Sequence, residues 1–200
     1  ILSAALKTQL AARELYVNIH TTTATGGEIR GQLLPASDAY YQTNLAGSQE
    51  VPPIITNAHG ALVVELKGTT MIVTGSAKDL ASGINTAVRM GGHFHLGYAG
   101  QNGGIQIELT PTVDTGNTSV RYLAANNTFT LTATQLTALR NQQFYANIHT
   151  NTYPSGEIRG QVTPMSTAKF RVMLSGAFEA VPVSTFASGG LILNLIDSTL

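Results

Sequence analysis

Apolar and polar positions alternate with a period of two in several short stretches of this chain, the pattern of strands whose two faces differ. The stretches are residues 40–46 (YYQTNLA), 60–66 (GALVVEL), 69–78 (TTMIVTGSAK), 105–109 (IQIEL), 120–123 and 128–131. Helical spacing occurs twice. Leu2, Leu6 and Leu10 recur every fourth residue within residues 1–12, and Leu136 and Leu139 form a stripe behind Thr132 and Gln135, which have capping-box spacing. Each helix directly precedes a hairpin and is expected to cover an end of a sheet. Short strands with turn signals between them, and one short helix per unit, predict an all-β fold, an antiparallel β-sandwich.

The same alternation reveals a repeat. Residues 144–164 read FYANIHTNTYPSGEIRGQVTP and residues 15–35 read LYVNIHTTTATGGEIRGQLLP; thirteen of the twenty-one positions are identical at an offset of 129. Each copy is a hairpin: an alternating strand, a small-residue turn ending in Gly, and a second strand. Residues 170–182 likewise repeat the segment that begins at Tyr40, and residues 190–195 repeat the strand at 60–66. Residues 1–35 therefore read as the end of a unit, 39–164 as a complete unit, and 168–200 as the beginning of a third. A partial sandwich leaves a sheet edge and an apolar face uncovered. The flanks are expected to pack on each other or to complete neighbouring subunits by strand addition, giving an array or filament.

Composition narrows the partners. Charged residues make up 11% of the chain and cancel to a formal net charge of +0, so no field draws it to nucleic acid or anionic lipid. No apolar run reaches the roughly 20 residues of a membrane-spanning helix. There is no Cys, hence neither a disulfide framework nor a thiolate metal site. The start at Ile1, without Met or a signal pattern, reads as a mature or trimmed product.

Four motifs in order give the chain a resemblance. Residues 45–53 (LAGSQEVPP), 92–104 (GHFHLGYAGQNGG), 131–139 (LTATQLTAL) and 145–161 (YANIHTNTYPSGEIRGQ) are similar to the successive motifs of the CHRD domain, named from chordin. Gly92 stands where that family usually has Ala, and Gly104-Ile105 where it usually has Pro-Val. The resemblance covers residues 40–164 as a whole unit, with the flanks matching the family's end and beginning. It implies a β-sandwich of extracellular, secreted proteins. For the architecture we expect an Ig-like or superoxide-dismutase-like Greek key.

Chemistry rests on five histidines. His93 and His95 are two apart in an expected strand, so both leave one face. With His149 from the hairpin as third ligand they form a candidate metal site, and three imidazoles without a thiolate suit Cu(II) or Zn(II). His20 keeps the Asn-x-His-Thr context of His149 but has no His-x-His partner here. Metal does not explain its retention unless a neighbouring chain supplies that partner. His59 reads as a surface turn residue. Glu157 and Arg159, with Glu28 and Arg30, read as cross-strand ion pairs. No catalytic set is visible; Asp114 and Asp197 form no calcium-loop pattern, and Asn117 and Asn126 head glycosylation sequons. The expectation is an extracellular structural or interaction repeat protein that self-associates, with no small-molecule substrate and no enzymatic activity. The alternative is a copper- or zinc-binding module using His93, His95 and His149.

Overall fold

Strands form where the alternation places them. A computed structural model describes residues 2–165 and 168–195. In chain order it has helix α1 (Ala4–Ala11) and strands β1 (Tyr16–Ile19) and β2 (Ile29–Gln32), followed by β3 (Ala39–Ala46), β4 (His59–Lys67), β5 (Thr70–Lys78) and β6 (Gly92–Leu96). Next come β7 (Ile105–Glu108), β8 (Thr112–Val113), β9 (Val120–Tyr122), β10 (Thr128–Thr130) and helix α2 (Ala133–Arg140). Strands β11 (Phe144–Ile148), β12 (Ile158–Gln161) and β13 (Thr163–Pro164) end the central unit, and β14 (Ala168–Ser175) with β15 (Ser188–Leu195) follow it. Asp197 lies outside the described residues.

The central strands make one antiparallel sheet in the order β7-β6-β11-β12-β3-β4-β5-β9-β8, with β10 on β5 and β13 on β3. It curls at the β12–β3 junction, where the ladder thins to Arg159 opposite Ala46. The curl brings both halves around a single core. Phe94, Ile107, Phe144, Ala146, Ile148 and Ile158 from one half meet Leu45, Leu62, Val64, Leu66, Met71 and Val73 from the other. The result is the expected all-β sandwich, and burial of these side chains is its main source of stability.

Helix α2 behaves as its sequence suggests. Thr132 and Gln135 form the capping box, and Ala138 and Leu139 are buried, with Leu136 packed at the edge of the core. Helix α1 departs from expectation: it has the right periodicity and a Ser3 cap, but none of its residues is buried, and Leu2, Leu6 and Leu10 are exposed. Unlike α2, it places no residue in the core. The flanking hairpins form separate two-stranded sheets, β1–β2 and β14–β15, which among the described residues are in a ladder neither with each other nor with the central sheet.

The N-terminal flank is fastened by charge. The Arg13 guanidinium lies 2.8 Å from Glu65 of β4, a side chain only 6% exposed, and Ser37 donates to the other carboxylate oxygen at 2.5 Å. Removing the cation leaves a buried carboxylate short of a partner. Arg13→Ala is expected to destabilise the central unit by about 1–3 kcal/mol in urea denaturation, whereas Lys7→Ala on the exposed helix should change nothing measurable.

Candidate metal centre

Every residue of β11 is buried, and its alternation divides the two sides. Phe144, Ala146 and Ile148 enter the hydrophobic core, while Tyr145, Asn147 and then His149 point to the other side. Register extends that polar row across the sheet. Tyr145 pairs with His95 on one side and Gln161 on the other, and Asn147 pairs with His93 and Arg159. A buried layer of polar side chains thus lies on the face opposite the core, all of them at most 8% exposed.

At one end of this layer the three predicted histidines come together. One ring nitrogen from each of His93, His95 and His149 lies within 4.8 Å of the other two, and the ring centroids are 4.9–6.0 Å apart. The second nitrogen of each ring faces backbone carbonyls, which accept only, so it carries the proton. His93 Nε2–H donates to Val88 O (2.8 Å) and Arg89 O (2.7 Å), His95 Nδ1–H to Gly103 O (2.9 Å), and His149 Nδ1–H to Pro154 O (2.9 Å). Left over are His93 Nδ1, His95 Nε2 and His149 Nε2, each buried without a hydrogen-bond partner. Buried acceptors are nearly always satisfied. Three orphaned lone pairs in one place, each on a ring fixed from behind, have the makings of a cation site.

The loops are shaped for this. Met90 (φ 64°) and Gly91 (φ 78°) are left-handed, which turns the chain so that the Val88 and Arg89 carbonyls face His93. His149 is held in addition by its N–H on Gly91 O at 2.7 Å. Tyr145 stacks flat on His95 (4.8 Å, 6°), and its hydroxyl accepts from Gly103 N–H. Burial lowers the pKa of all three histidines, that of His95 to about 4, although the carbonyl hydrogen bonds push the other way. At neutral pH the rings are uncharged, the form a metal ion requires.

At the other end of the layer lies Arg159, 2% exposed. It sits 3.4 Å above the Tyr145 ring and donates to Asn102 Oδ1 (3.0 Å) and to the carbonyls of Tyr98 and Gln101. Glu157 makes no pair with it, contrary to expectation. The Glu157 carboxylate accepts from Thr56 Oγ1 (2.6 Å), Thr150 Oγ1 (2.8 Å) and the Ala81 N–H (3.0 Å). The acid that faces Arg159 electrostatically is Glu50, bonded to Asn147 and pushed up to about 7 by burial against the pull of Arg159. Sequence spacing alone did not reveal Glu50; its buried position after Gln49 is set by the turn that follows β3. Glu50, Arg159 and Gln161 border a cleft of about 320 Å³ whose far wall is Val172, Gly189 and Leu191 of the last hairpin.

The remaining histidines stand apart. His59 heads β4, exposed, with Nδ1 on Asn57 O (3.0 Å) and 3.6 Å from Asp79. His20 is exposed at the end of β1, 129 residues before His149, with Nδ1 on Thr25 O at 2.8 Å.

A family model for the CHRD domain matches residues 1–33 and 41–162. Among curated proteins, none matches the chain.

Proposed function

Taking as premise that the chain belongs to the CHRD family, as the match over most of its length shows, we propose that the central unit is a metal-binding module. Its site is His93, His95 and His149, and its ion is Cu(II) or Zn(II). The observation that carries this reading is the set of three buried, unpartnered imidazole nitrogens whose tautomers are fixed by backbone carbonyls. Zinc takes imidazole nitrogen at about 2.0–2.1 Å, so the three ring nitrogens, now within 4.8 Å of one another, would have to tilt inward to hold one ion. Copper is the stronger binder to such a set. The rings are neutral and no thiolate is available in the sequence, so the bound ion keeps most of its charge. We read the module as a metal binder and not as an enzyme, on the absence of a recognisable catalytic motif in its sequence. The extracellular setting that the CHRD resemblance implies is part of the same proposal.

The test is stoichiometry. Untagged protein dialysed against zinc or copper is expected to retain one ion per chain and to melt at higher temperature, and His93→Ala should lose both effects. Equal retention by the variant would place the ion elsewhere.

A second reading joins the first: the chain is a repeat module that associates through its flanks. It is favoured by the apolar faces of the first hairpin, where Tyr16, Val17, Ile19 and Ile29 are 46–66% exposed while their counterparts Tyr145, Ala146, Ile148 and Ile158 are buried.

A further inference from the structure

The first hairpin keeps the internal geometry of the second, and the bond from its last glutamine to the turn after the preceding helix (Gln32 to Arg13 O, as Gln161 to Gln142 O), but not the sheet that flanks the second. Their registers are the same at the offset of 129: Tyr16 faces Gln32 as Tyr145 faces Gln161, and Asn18 faces Arg30 as Asn147 faces Arg159. Arg30 lies 3.5 Å over Tyr16, and Arg159 lies 3.4 Å over Tyr145. The turns repeat as well. Ala24 N–H donates to Thr21 Oγ1 at 3.1 Å and Tyr153 N–H to Thr150 Oγ1 at 3.2 Å, while Gly27 and Gly156 share left-handed φ values of 116° and 128°.

Within this preserved frame His20 occupies the place of His149. Its Nδ1 bonds to Thr25 O at 2.8 Å, as that of His149 bonds to Pro154 O at 2.9 Å. The proton is therefore on Nδ1, and Nε2 keeps its lone pair, here toward solvent. Among the described residues no strand lies along β1 as β6 lies along β11 in the central unit. There β6 pairs antiparallel with β11, Asn147 opposite His93 and Tyr145 opposite His95, and this delivers the other two ligands. The corresponding edge of β1 has no ladder partner among the described residues.

We propose that β1 is a docking edge for the Gly-His-x-His strand of another CHRD unit, and that His20 is the third ligand of the metal site which that strand completes. The inference rests on the central triad binding metal. The occupant is specified by the chain's own second copy, which shows what covers this edge and in which register. Docking sets the incoming histidines opposite Asn18 and Tyr16. It also covers Val17 and Ile19, apolar side chains that now face solvent at 52% and 49%. Two weak terms act together: main-chain ladder bonds supply part of the affinity, and the ion bridges hairpin and strand. Junctions of this kind form when metal is present and part when it is chelated.

The experiment uses the whole chain and a synthetic peptide of residues 89–109, which contains β6 and β7. Zinc is measured by equilibrium dialysis against the chain, with and without excess peptide, peptide alone being subtracted. The wild type is expected to hold one zinc alone and two with peptide. His20→Ala, at an exposed position that leaves the central triad intact, should hold one in both conditions. A wild type that stays at one zinc with peptide, or a His20→Ala variant that reaches two, overturns the proposal. A chain holding no zinc on its own overturns the central-site reading instead, so the two failures are told apart.

Discussion

Replacing Arg159 with alanine is expected to cost the central unit about 3–5 kcal/mol, the range for removing one member of a buried charged network. The same change at Arg30 should cost less than about 1 kcal/mol, the scale of an exposed cation–π contact. The two residues occupy one position in one motif, over the same tyrosine, so the difference isolates what burial and the Asn102, Tyr98 and Gln101 bonds contribute. Truncation leaves Asn102 Oδ1 and two carbonyls short of a donor and opens space under a fully packed layer. Arg159→Lys should recover part of the loss at most, because a single ammonium cannot span three acceptors in the plane of a fork. Urea midpoints of the four proteins decide the matter, and equal losses at 159 and 30 would contradict it. An effect on metal is expected too. Arg159 fixes residues 98–102, and Gly103, next in line, holds the His95 ring.

Metal binding should also show an unusual pH dependence. Burial lowers the pKa of His93 and His149 and takes that of His95 to about 4, against about 6.5 for an unfolded histidine. A base whose folded pKa is depressed favours the neutral ring in the fold. Its contribution to stability is complete above about pH 6.5 and is lost as pH falls toward 4, where the unfolded chain takes up protons the fold resists. Zinc competes with those same protons. Its affinity should therefore hold to lower pH than that of a site whose histidines are not buried, and fall steeply as pH approaches the low pKa of His95. Zinc at a hundred times its dissociation constant adds about 2.7 kcal/mol at neutral pH. Melting curves with and without zinc between pH 4 and 8 should show that gain persisting below pH 6.5 and shrinking toward pH 4. A decline centred at 6.5 would mean that solvent reaches the rings.

Much of this was legible in the residues. The alternation of Phe144-Tyr145-Ala146-Asn147-Ile148-His149 divides core from polar layer, and the His93–His95 spacing fixes a shared face. His149 is the candidate third ligand because it sits in a hairpin strand that could neighbour them. The carbonyls that set the tautomers were not legible, because they depend on the left-handed path through Met90 and Gly91 and on two further loops. The Glu157–Arg159 pairing failed for a related reason. Spacing on a strand reports what two side chains could reach, whereas each of these found its partners in distant segments, Thr56 being 101 residues from Glu157 and Asn102 57 residues from Arg159. Helix α1 shows the converse error, since amphipathic periodicity states which face would be buried and says nothing about whether a surface is there to receive it.

The short strand β13 carries a last implication. Pro164 lies opposite Tyr41 and Thr163 opposite Gln42, and Met165 N–H reaches Tyr40 O at 3.0 Å. The polypeptide therefore leaves the central unit beside the point at which it entered. A domain whose ends meet hangs from the main chain like a bead on a stem, and can be inserted, duplicated or excised without displacing what lies on either side. The same closure makes the unit a good substrate for circular permutation: joining residue 164 to residue 39 and opening the exposed Gly68 turn between β4 and β5 should leave the histidine triad where it is.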